Sequence, residues 1–89
     1  MTTMFLDIVN IKGLHARASA RFVEVVEAHD ATATVEKDGM EVSGDSIMGL
    51  LMLAASRGTQ IRVTTDGPQA QALASALSEL VTGKFGEGE

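Results

Sequence analysis

The 89-residue chain has no cysteine, no tryptophan and no tyrosine, a single proline, and three phenylalanines as its only aromatic residues. Each absence excludes something. Without cysteine there is no disulfide framework and no thiolate chemistry, a composition compatible with a reducing cytosol. The two histidines, His15 and His29, do not stand at metal-ligand spacing, so neither a metal nor another cofactor is expected. With so few aromatic rings, packing falls to aliphatic residues, alanine and methionine, and 45% hydrophobic residues suffice for one modest core. No apolar run reaches the roughly 20 residues that span a bilayer. The longest, Ile47 to Ala55, is interrupted by Gly49. Met1 to Asp7 lacks the basic and apolar regions of a signal peptide. Cationic residues are also scarce: seven Lys and Arg against twelve Asp and Glu give a net charge of −5. That balance argues against nucleic acid as a main partner and favours proteins that offer basic patches.

What is present reads as one domain over residues 1–89, with residues 84–89 a glycine-rich, acidic and flexible tail. Met4, Leu6 and Ile8 alternate with polar or exposed positions and predict a first strand. From about Ala16 to Ala28 the period becomes helical, with Ser19, Phe22, Val23 and Val26 on one face. Ala31 to Lys37 alternates again, Ala33 and Val35 facing inward, and Asp38-Gly39 is a two-residue hairpin signal leading into Met40–Ser43. Ser46 is a good N-cap for a helix over Ile47 to Ala55, closed by Gly58. Gln60 to Thr65 forms a fourth strand with Ile61 and Val63 inward. Pro68 then stands at the first position of a last helix, in which Leu73, Ala76, Leu77 and Leu80 recur up to Thr82. The resulting order, β-α-β-β-α-β-α, predicts an α+β open-faced sandwich: a mostly antiparallel four-stranded sheet with helices on one face and water on the other.

His15 stands where the first strand signal has ended and the first helix signal begins, with Gly13 supplying backbone freedom just before it. Helix N-termini carry unpaired N–H groups and about half a positive charge, so they receive anions. A neutral imidazole there is a nucleophile beside a phosphate cradle, with the N–H groups of Ala16 and Arg17 as backbone donors and the Arg17 guanidinium as a fork of further donors. His29 lies near a helix C-terminus, where partial positive charge is favourable, and needs no functional explanation.

Gly13-Leu14-His15-Ala16-Arg17, the segment Asp45-Ser46-Ile47-Met48-Gly49-Leu50 and this element order together resemble the histidine-containing phosphocarrier family, HPr, of the bacterial phosphoenolpyruvate-dependent phosphotransferase system. The resemblance runs from Phe5 to about Val81. It implies a sheet of order 1-4-2-3 and a cytoplasmic, monomeric shuttle that is a substrate of other enzymes, not a stand-alone catalyst. It implies that His15 accepts phosphate on Nδ1 from Enzyme I and passes it to an EIIA-type protein, with Arg17 as the active-site arginine. It further implies that Ser46 is a regulatory serine, modified by a kinase/phosphorylase in some bacteria. Two departures stand out. Ala18 replaces the proline usual in the histidine motif, which costs about 0.5 kcal/mol of pre-organisation. Glu24, Glu27 and Gly49 stand where sugar-transport carriers often have lysines, as in the nitrogen-related branch. The family therefore implies a role in sugar uptake or in nitrogen and carbon regulation.

Ile47, Met48, Leu50, Leu51, Met52 and Leu53 are too apolar for one buried stripe of a short helix, so some are expected at the surface. Ile47, Met48, Leu51 and Met52 are expected to join Ala20 and Arg21 in one docking surface around His15. Two other readings fit parts of the pattern. One is a regulatory docking protein of the same fold, switched by phosphorylation at His15 or Ser46. The other is a small αβ ligand-binding domain, for which no polar cluster able to line a pocket is visible in the sequence.

Overall fold

A computed structural model describes residues 1–87. Four strands, β1 (Thr2–Asp7), β2 (Thr32–Lys37), β3 (Met40–Ser43) and β4 (Gln60–Asp66), form one antiparallel sheet in the order β1-β4-β2-β3. Helices α1 (Ala16–Glu27), α2 (Ile47–Met52) and α3 (Ala70–Thr82) complete the expected open-faced sandwich. Strand alternation decides which side is dry. Ile61, Val63 and Thr65 of β4 face the core, as do Ala33 and Val35 of β2. Arg62 and Glu36 pair on the other face at 3.0 Å. Thr65 is buried, and its hydroxyl donates to the Ala70 carbonyl at 2.8 Å. The β2–β3 turn has positive φ at both Asp38 (52°) and Gly39 (83°), as an Asp-Gly hairpin of the primed type requires.

α1 presents Ala18, Ser19, Phe22, Val23 and Val26 to the interior, and α3 presents Ala70, Leu73, Ala74, Leu77 and Val81. Ala76 and Leu80, expected on the inner stripe of α3, sit half-buried at its margin. These faces enclose one cluster centred on Phe22, Val35, Leu50, Ile61, Val63, Leu77 and Phe85.

Three expected boundaries shift, each for a tertiary reason. α2 ends at Met52, not Ala55: Leu53 N–H bonds back to Leu50 O at 3.2 Å, and Ala54 turns to φ 51°. That left-handed turn frees Ala55, which is buried and whose carbonyl accepts Leu14 N–H at 2.8 Å. Gly58 therefore does not close α2; its N–H bonds to Ile8 O at 2.8 Å and carries the β1–β4 pairing onward. α3 starts at Ala70 with Gln69 as N-cap, so Pro68 precedes the helix instead of opening it. Gln69 is held elsewhere: its side-chain oxygen accepts Asp30 N–H at 2.6 Å and its own N–H donates to Asp30 O at 3.0 Å. Finally, the stretch expected as a flexible tail begins with a turn packed on the core, while Gly88 and Glu89 lie outside the described residues. A tight turn at Lys84–Gly86 folds Phe85 completely into the core, and the area it buries offsets the positive φ of Lys84 (58°) and Phe85 (56°).

Candidate functional site

The loop between β1 and α1 is built to hold His15 still. Gly13 adopts φ +64°, and a Cβ there would lie 2.5 Å from Ala55 O and 2.9 Å from Ser56 Cα, so no larger residue fits without moving backbone. Leu14 is buried and bonded to Ala55 O. Ser19, also buried, donates its hydroxyl to Leu14 O at 3.2 Å. The chain thus enters α1 with its last loop residue fixed from two sides.

His15 is the N-cap of α1, with extended backbone (φ −77°, ψ −177°). Its Nδ1 accepts the Arg17 N–H at 3.3 Å, the role that serine or aspartate plays at an ordinary helix start. An accepting nitrogen carries no proton, so in the neutral ring the hydrogen is assigned to Nε2. That edge meets a carboxylate: Nε2 is in short hydrogen-bond contact with Glu87 Oε2. Glu87 Oε1 accepts from Asn10 Nδ2 at 2.9 Å, and the same amide donates to Gly13 O at 2.8 Å. Asn10 is fully buried, and its Oδ1 has no partner among the described residues. The Asn10 bond, then the His15 bond, and the nearby charge of Lys12 hold the Glu87 carboxyl below its usual range, against an opposing effect of desolvation.

The His15 side chain is 26% exposed, at the edge of a shallow depression of about 300 Å³ shared with Lys12, Leu14, Leu51, Ala54, Ala55 and Ser56. Arg17 is exposed, and no described residue pairs with its guanidinium. Ala18 is buried in the first turn of a helix that forms without proline. α2 packs against α1. Its apolar residues divide as expected: Leu50 and Leu53 are buried and Leu51 is half-buried. Ile47, Met48 and Met52 are 40%, 70% and 64% exposed. Ala20 is half-buried and Arg21 exposed. Ser46 caps α2, its Oγ accepting Gly49 N–H at 3.0 Å, and Asp45 beside it takes a bond from Ser43 Oγ at 2.6 Å.

Sequence reasoning missed Asn10 and Glu87. An asparagine three residues before a loop glycine is a usable signal for the first. For the second, the only local hint is a phenylalanine inside a polar tail.

A family model described as "PTS HPr component phosphorylation site" matches residues 4–83. The chain belongs to the HPr family of phosphocarriers of the phosphotransferase system. It is 44% identical over 89 residues to the phosphocarrier protein HPr of Neisseria meningitidis, covering 100% of both chains. To the HPr of Pseudomonas aeruginosa it is 40% identical over 90 residues, again covering both chains in full. Among solved structures, an HPr from Thermoanaerobacter tengcongensis superposes with a TM-score of 0.94 at 35% identity, covering 100% of each chain. An HPr from Bacillus anthracis gives 0.86 at 35% identity, over 90% of this chain and 95% of that one. The β1-β4-β2-β3 sheet with its three helices agrees with this likeness. No helix among the described residues is long and apolar enough to cross a membrane.

Proposed function

We propose that His15 is the phosphoryl acceptor, taking the group on Nδ1 from Enzyme I, with phosphoenolpyruvate as ultimate donor, and yielding it to an EIIA-type protein. The observation that carries this reading is the Nδ1–Arg17 N–H contact at 3.3 Å, which leaves an unprotonated nitrogen at the positive end of α1. In the transfer the Nδ1 lone pair forms the N–P bond as the donor–phosphorus bond breaks, its electron pair remaining on the donor. The phosphoryl oxygens then take the Arg17 and Ala16 N–H groups, and the Arg17 guanidinium closes on them. Positioning and charge do the work, so a small carrier with an open site suffices.

Ile47, Met48, Leu51 and Met52, with Ala20 and Arg21, form the docking surface for both donor and acceptor; exposed methionines adapt to more than one partner. Ser46 is the regulatory position: a phosphate there tolerates the helix N-terminus but adds charge beside Asp45 on the surface partners must touch. The carrier acts as a cytoplasmic monomer in sugar uptake or nitrogen and carbon regulation.

Incubation with its cognate Enzyme I and phosphoenolpyruvate, followed by intact-mass measurement, tests the reading. Wild type should gain one acid-labile phosphate and His15→Ala none. Equal labelling of both proteins, or of neither, would sink it.

A further inference from the structure

The contact between Glu87 and the far edge of the His15 ring has no part in the relay as described above. We propose that Glu87 is a positioning residue for His15: its carboxylate holds the Nε2–H tautomer, and so keeps Nδ1 free for phosphorus. This inference rests on the His15 reading.

Three features make the contact a built one. Glu87 Oε2 takes the Nε2 hydrogen, while Oε1 is held by Asn10 at 2.9 Å. Asn10 is itself buried and tied to Gly13 O at 2.8 Å, so the carboxylate is referenced to the same loop that carries the histidine. Two residues earlier, fully buried Phe85 anchors the segment, and the Glu87 side chain is only 14% exposed.

The chemistry follows from the ring's two nitrogens. In a free imidazole the proton exchanges between them, and the tautomer protonated at Nδ1 cannot attack. A carboxylate on Nε2–H suppresses that form, as carboxylates do for metal-bound and catalytic histidines. When Nδ1 forms its bond to phosphorus, Nε2 keeps its hydrogen and the ring becomes cationic. No proton leaves, and Glu87 lies against the new positive charge. The carboxylate sits at the Nε2 edge, away from the nitrogen the dianion approaches, so it orients the ring without occupying the phosphoryl position.

The test is ¹⁵N NMR of the His15 ring in unphosphorylated wild type, Glu87→Ala and Glu87→Gln, alongside transfer rates from Enzyme I. The neutral ring of wild type should show a protonated Nε2 and a bare Nδ1. Glu87→Ala should show mixed tautomers and transfer slowed by roughly tenfold, the lower end for loss of a carboxylate behind a working histidine. Glu87→Gln, which keeps an acceptor oxygen but no charge, should fall between. Unchanged ring signals in Glu87→Ala would overturn the proposal, and so would faster transfer, which would mark the carboxylate as a block. His15→Ala tests the underlying reading separately: if that variant is still phosphorylated while the ring signals respond to Glu87, the relay site is wrong and the contact stands.

Discussion

Asn10 and Glu87, 77 positions apart, meet side chain to side chain at 2.9 Å, and His15 closes the other end of the same carboxylate. The loop before α1 and the segment after α3 are thereby joined through the residue proposed to carry phosphate. A carboxyl group held below its usual range stabilises the fold fully above the unfolded carboxylate pKa of about 4.3, and this contribution is lost as pH falls through the lower folded value. Acid should thus weaken the hold of Glu87 on Asn10 and His15. The side-chain amide resonances of Asn10, followed from neutral pH to strong acid, should titrate below the usual carboxylate range in wild type and stay flat in Glu87→Gln.

Phe85 is fully buried in the middle of a turn with two successive left-handed non-glycine residues, Lys84 and Phe85 itself. Phe85→Ala should cost about 3–5 kcal/mol of stability by denaturant unfolding, through lost burial and the cavity left behind. A loss below 1 kcal/mol would mean that the segment is not part of the core.

Ser46 separates capping from regulation. Ser46→Ala removes the acceptor for Gly49 N–H and should cost ~1 kcal/mol. Ser46→Asp keeps an acceptor and adds charge, so it should leave stability near wild type while slowing phosphoryl transfer from Enzyme I. Equal transfer rates for Ser46→Asp and wild type would count against a regulatory role.

Met48 is 70% exposed and makes little contribution to the core. Met48→Glu should change stability by no more than about 0.5 kcal/mol. If Met48 sits centrally in the docking surface, transfer should slow at least about fivefold, measured at sub-saturating Enzyme I. A variant that transfers at the wild-type rate would move the interface off this part of α2.

Much of this architecture could be read locally. The hairpin at Asp38-Gly39 needs only two residues that tolerate positive φ, and both adopt it. The inner faces of β2, β4 and α1 follow from periods of two and 3.6 residues, because burial selects side chains at those spacings. His15 could be placed at a helix start because strand and helix periods change on either side of it. Less legible were the ends of elements, where a distant partner outweighs local preference. Gln69 is claimed by Asp30, and Ala54 turns left-handed so that Ala55 can hold Leu14.

The sequence by itself determined the elements, their inward faces, and the histidine at the head of α1, since each depends on neighbours within a few residues. Only the tertiary structure decided that an acidic tail would fold back and that a buried asparagine would aim its last described carboxylate at the imidazole. Those contacts bring together positions from opposite ends of the chain, and no local period or motif records which charged side chain the closed fold will set beside the ring.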